Sequence, residues 1–199
     1  MNDNVFRILA VAIFVIGAGI SIYYRRKADR ETGEKVSLRD EGLAITLALR
    51  LVGLALWLSV MAWMINPRWM AWSQVELPLW TRWFGLVLGI LSLLLGYWIF
   101  SSLGNNVSPT VRTRSSAQLV TRGPYRWVRH PLYVMGLISF LGFALLAENA
   151  FIAVLAVLVF AIFLIRTPKE ETKLIEKFGD DYRTYMRSTG RYFPRLRSG

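Results

Sequence analysis

The chain has no cysteine in its 199 residues. Disulfide cross-links, thiolate metal sites and cysteine nucleophiles are excluded at the outset. Histidine occurs once, at position 130, and the apolar stretches carry few acids. A dedicated metal centre is therefore not expected. Acidic residues are scarce throughout: 13 Asp and Glu stand against 24 Lys and Arg, a net charge of +11. In a soluble chain that balance would suggest nucleic acid. Here the basic residues lie between long apolar runs, so membrane lipids with anionic headgroups are the expected partner and nucleic acid is not.

What is present in quantity is apolar surface, 54% of the residues. Residues 5 to 24 form a first run long enough to cross roughly 30 Å of hydrocarbon as a helix. It ends in Tyr23, Tyr24, Arg25, Arg26 and Lys27, an aromatic and basic interface anchor. The charges follow this run, unlike those of a signal peptide, which marks a retained helix. Residues 25 to 42 mix both charge signs and read as a solvated loop with at most one helical turn. A second span covers 43 to 65, with Arg50 about two turns inside it, close enough to snorkel to the headgroups. After an aromatic crossing at 66 to 78, a third span runs from 79 to 100. Its Gly85, Gly89 and Gly96 offer close helix contact.

Residues 101 to 122 are polar and lack sustained periodicity, and a loop this long in a compact membrane protein is usually functional. Two shorter apolar runs follow, 131 to 147 and 150 to 166, split by Glu148 and Asn149. They predict an antiparallel helical hairpin. Pro168, Lys169, Glu170 and Glu171 then suit the first turn of a new helix, which Gly179 would end. A further short turn is expected between Asp181 and Met186.

The expected fold class is therefore all-α: a polytopic membrane protein with five transmembrane helices and a short helical C-terminal cytoplasmic segment. The whole chain, 1–199, reads as one membrane-embedded domain, with three N-terminal spans in 1–100 and the functional part in 101–199. Lys and Arg number six in 25–42, five in 101–130 and nine in 166–199, against two in 66–82 and none in 147–150. Five alternating spans put the three basic segments on one face. By the positive-inside rule that face is cytoplasmic, with the N-terminus outside and the C-terminus inside.

One stretch stands apart from a generic membrane protein: Gly123, Pro124, Tyr125, Arg126, Trp127, Val128, Arg129, His130, Pro131, Leu132, Tyr133. Pro131 suits the first turn of a helix, which puts His130 at the cap and leaves free backbone N–H groups facing the loop. Aromatic surface, a helix start and a histidine together suit a charged, ring-bearing small molecule. The plainer alternative is interface anchoring by Trp, Tyr and Arg. Because the hairpin returns the chain to the same face, His130 and Arg166 become neighbours. Glu170, one turn beyond Arg166, joins them if the helix continues.

The run from Leu119 to Tyr133, with Arg166-Thr167-Pro168-Lys169-Glu170-Glu171 and Phe178-Gly179-Asp180-Asp181-Tyr182 after it, resembles the two-part signature of isoprenylcysteine carboxyl methyltransferases and related membrane methyltransferases. The resemblance covers roughly residues 100 to 195, in a compact form of prokaryotic type. It implies S-adenosylmethionine as methyl donor, under a C-terminal cap. By position it implies cofactor contacts at Ala117, Gln118, Leu119, Val120, Tyr125, His130, Pro131, Leu132, Tyr133 and Glu170. Arg166 falls on the acceptor side, where it would orient a carboxylate. The implied acceptor is a lipophilic small molecule or prenylated substrate entering from the bilayer, and the implied active site is cytoplasmic. Two alternatives stay open. One is a phospholipid amine N-methyltransferase, and the other is a sterol-reductase-like enzyme using NADPH.

Overall fold

The computed structural model describes residues 3–32, 43–104 and 118–195 of the chain. Six helices order them: α1 (Asp3–Thr32), α2 (Leu43–Ile65), α3 (Leu79–Leu103), α4 (Pro131–Ala147), α5 (Ala150–Phe178) and α6 (Asp180–Ser188). Segments of 3-10 helix fill Pro67–Ser73 and Gly123–Arg126. Helices α1, α2, α3 and α5 are long and apolar enough to cross a membrane, and α4 is a shorter apolar helix. At 17 residues, α4 is roughly 25 Å long, a little short of the hydrocarbon core.

Two helices outrun their apolar segments. Helix α1 continues to Thr32, so 25–32 is helical where a loop is expected. No Gly or Pro stands between Gly19 and Gly33, a Lys27–Glu31 pair supports its last turns, and Ala28 is buried against Phe100. Helix α5 runs unbroken through Pro168 to Phe178, so Pro168 does not start a new helix. A proline inside a helix costs about 3 kcal/mol. The contacts of the segment beyond it, above all those of Glu171, hold the helix together across that position.

Helices α1 to α5 alternate in direction. At one end of the bundle, Arg7 donates to the last carbonyls of α2, Met64 O at 2.7 Å and Ile65 O at 2.8 Å. These are orphan acceptors that a helix end must satisfy. Nearby, Arg82 at the start of α3 meets Asp3 at 2.6 Å and the Leu146 carbonyl at 3.2 Å. Asn149 caps α5 through Ile152 N and ties it to Met70 O and Ser73 Oγ. Opposite this clamped end lie His130, Arg166 and the tail.

Packing differs between the two ends. The buried core, with Phe6, Leu56, Val60, Leu146 and Ile152, fills the clamped half. Gly85 allows α3 and α4 to touch there, since a Cβ on it would sit 2.8 Å from Gly142 O. Gly89 likewise receives Ile13 of α1. Gly96 does not serve close contact. A Cβ built on it would come no closer than 3.8 Å to the Met135 sulfur, and it borders an open space. The other half of the bundle is hollow.

Candidate functional site

The segment before α4 folds into a 3-10 turn because Gly123 takes φ +60 and Pro124 follows it. A Cβ at Gly123 would collide with Ser102 Oγ at 2.1 Å, so only glycine lets this turn lie against α3. His130 then occupies the N-cap position of α4 with Pro131 at its first turn, as the sequence predicts. Its side chain does not cap the helix. It turns instead towards Glu171, with Nε2 3.3 Å from Oε1.

Glu171 is the hub of the site, and it was not among the residues expected there. Its carboxylate accepts from Arg129 Nε at 2.9 Å and from Arg191 Nη2 at 2.5 Å, besides the His130 contact. Its side chain is 4% exposed and that of Arg129 8%, so water screens this pair little. Arg129 also donates to the carbonyls of Met186 and Thr189. Arg191 is held above its ordinary pKa by the bond to Glu171. The tail closes over these groups along a short parallel bridge: Arg129 N to Gly190 O at 2.9 Å, His130 N to Arg191 O at 3.0 Å, and Gly190 N to Trp127 O at 3.1 Å. Tyr192 completes the strap by donating to Thr167 Oγ1 at 2.7 Å.

Glu170, one residue away, faces elsewhere and accepts a hydrogen bond from the Tyr133 hydroxyl. Tyr133 lies between two rings: His130, stacked at 5.4 Å, and Phe163, stacked at 4.1 Å and 3°. This His130–Tyr133–Phe163 column stands beside a cavity of about 770 Å³ running through the hollow half of the bundle. Arg25, Arg166 and Glu170 are its charged lining residues, and apart from Ser21, Ser92 and Ser139 the remaining side chains of the wall are largely apolar.

The expected site residues with described positions fall into four groups. Leu132, Tyr133, Glu170 and Arg166 line the cavity. His130 and Pro131 are buried behind them, His130 against Tyr133 and Glu171. Tyr125 is buried beneath α6, where its carbonyl accepts from the Tyr185 hydroxyl at 2.5 Å. Burial pushes the phenols of Tyr125, Tyr182 and Tyr185 up, so Tyr185 keeps the proton it donates. Gln118 is exposed, Leu119 and Val120 are half-buried, and Ala117 lies outside the described residues.

The profile of the phospholipid methyltransferase family matches residues 80–181, just over half of the chain, from the start of α3 into α6. The chain belongs to the phospholipid methyltransferase family. The match takes in the whole column, Arg166, Glu170 and the Glu171 hub. Among this family member's relatives, the nickel-cobalt-cadmium resistance protein NccN of Alcaligenes xylosoxydans xylosoxydans is 35% identical over 42% of this chain and 39% of its own length. The protein-S-isoprenylcysteine O-methyltransferase of Rattus norvegicus is 31% identical over 58% of this chain and 42% of its own. The matches thus span about two fifths of the curated relatives' lengths.

The fold is similar to that of a eukaryotic intramembrane Ras methyltransferase, an isoprenylcysteine carboxyl methyltransferase. The superposition has a TM-score of 0.55 at 21% identity and covers 94% of this chain and 67% of that one. The all-α membrane fold and the expected isoprenylcysteine carboxyl methyltransferase-like family are both borne out. The protein is an integral membrane protein.

Proposed function

We propose that the protein transfers a methyl group from S-adenosylmethionine to the carboxylate of a lipophilic acceptor that reaches the site from the bilayer. The observation that carries this reading is the cavity. It is a mostly apolar space within the membrane-spanning helices, lined by two cations, Arg25 and Arg166, and one carboxylate, Glu170. Its volume of about 770 Å³ falls within the usual range for small-molecule sites.

The residues present fit the cofactor. The Glu170 carboxylate suits a ligand bearing a sulfonium and an ammonium, the His130–Tyr133–Phe163 column suits an aromatic base, and the start of α4 suits a carboxylate. When bound, S-adenosylmethionine supplies an electrophilic methyl group. Tyr133 orients Glu170 through its hydroxyl, and Glu171 fixes His130 and so the face on which Tyr133 stacks. Arg166 would hold the acceptor carboxylate at the cavity's polar end with its chain in the apolar wall. An ionised carboxylate has no proton to lose, so positioning and exclusion of water carry the catalysis and no general base is needed.

The positive-inside rule supports a cytoplasmic site. The experiment is transfer of labelled methyl from S-adenosylmethionine into a lipid extract by the purified protein. Base-labile label in the product is the expected result for an ester. Base-stable label would move the reading to N-methylation, and absence of transfer with every extract would reject it.

A further inference from the structure

The cavity has a floor. Phe14 of α1, Trp57 of α2, and Phe140 and Phe143 of α4 all line it at the end away from Arg166. Their rings interlock edge to face: Phe14 and Trp57 at 5.0 Å, Trp57 and Phe140 at 5.5 Å, Phe14 and Phe143 at 6.3 Å. The cluster joins α1 to α2, which make few other contacts with each other. Below it the filled core continues with Val60, Leu146 and Ile152.

The depth of this floor follows from helix rise. From Leu132 to Phe143 along α4 is roughly 16 Å, and from Arg166 back to Ala156 along α5 roughly 15 Å. Both distances are about half of a 30 Å hydrocarbon core, the reach of one leaflet.

The wall above the floor is kept free of side chains at two points. Gly53 of α2 and Gly136 of α4 line the cavity, and a Cβ built on either would meet nothing within 4 Å. Glycines in membrane helices ordinarily let another helix approach. Neither of these is approached, so helix packing does not account for them.

We infer that the Phe14–Trp57–Phe140–Phe143 cluster limits the length of the apolar chain an acceptor can seat, so that the site selects by chain length as well as by headgroup. The inference rests on the reading of this cavity as the acceptor's seat. A chain that outruns the floor must fold back or leave its headgroup short of Arg166.

The test uses the full-length protein in lipid nanodiscs, offered a ladder of saturated n-alkyl carboxylic acids of stepwise length. Retained acid is read by native mass spectrometry, without cofactor. Wild type should retain longer chains increasingly well up to a cut-off and then lose them. Trp57→Ala and Phe140→Ala should each move the cut-off to longer chains. Gly53→Phe, one turn above Trp57, should move it to shorter ones. A cut-off that is absent in the wild type, or that stays in place in all three variants, overturns the inference. Methyl transfer is assayed separately: a moving cut-off without turnover would reject the methyltransferase reading alone, and turnover with a fixed cut-off would reject the length limit alone.

Discussion

Arg129 and Glu171 stand 42 residues apart in the chain and meet at 2.9 Å, almost wholly out of water. This pair ties the segment before α4 to the far part of α5, and Arg191 draws the tail onto the same carboxylate. Glu171→Gln would leave the Arg129 guanidinium buried beside a neutral amide. Breaking a buried pair by removing one partner costs about 3–5 kcal/mol. A clear drop in melting temperature is expected, and the amide protons of Arg129, His130 and Gly190 should exchange faster as the strap loosens. Unchanged exchange there would mean that the backbone bridge stands without the hub.

Tyr185→Phe removes a donor from the Tyr125 carbonyl beneath α6. The expected loss is about 1–3 kcal/mol, since a buried acceptor is left unsatisfied. Thermal unfolding of the purified variant measures it, with a ligand titration alongside. A weakened ligand response at full stability would instead give this pair a place in the binding site.

Glu170 and Arg166 share one end of the cavity but are expected to divide its work. Glu170→Gln should weaken S-adenosylhomocysteine binding by about 1.5–3 kcal/mol, the usual worth of a hydrogen bond to a charged group. Arg166→Ala should leave that affinity nearly unchanged and sharply reduce turnover. Calorimetry followed by a methyl-transfer assay separates the two. Equal loss of binding in both variants would remove the acceptor role from Arg166, and full turnover in Arg166→Ala would leave it only an anchor.

The alternation of the helices makes a topological prediction. Single cysteines placed at the exposed positions Thr121 and Ser188 should label from one side of the membrane, and one at Glu76 from the other. Under the positive-inside expectation the first two are cytoplasmic. Labelling of Glu76 from the same side as Ser188 would break the arrangement.

Much of the fold was legible because long apolar runs declare membrane helices. His130 before Pro131, the 131–166 hairpin and the return of Glu170 to the His130 end of the bundle followed from helix starts and spacing. The reach of α1 and α5 did not, since propensity cannot say whether contacts such as Ala28 on Phe100, or those of Glu171, will carry a helix past a charged loop or a proline. Glu171 was not assigned to the site for a related reason. Next to Glu170 it looks like one more acid in a first turn, and only the folded chain brings Arg129 and Arg191 to it. The hollow above Trp57 had a trace in Gly53 and Gly136, but an isolated glycine in a span reads first as a packing residue.

The central claim is that the cavity beside the His130–Tyr133–Phe163 column serves a methyl-transfer reaction. Calorimetric titration of the purified protein with S-adenosylhomocysteine, and in parallel with NADPH, tests it most directly. Saturable binding of S-adenosylhomocysteine, weakened in Glu170→Gln and accompanied by a higher melting temperature, is the predicted result. Saturable NADPH binding with no response to S-adenosylhomocysteine would contradict it.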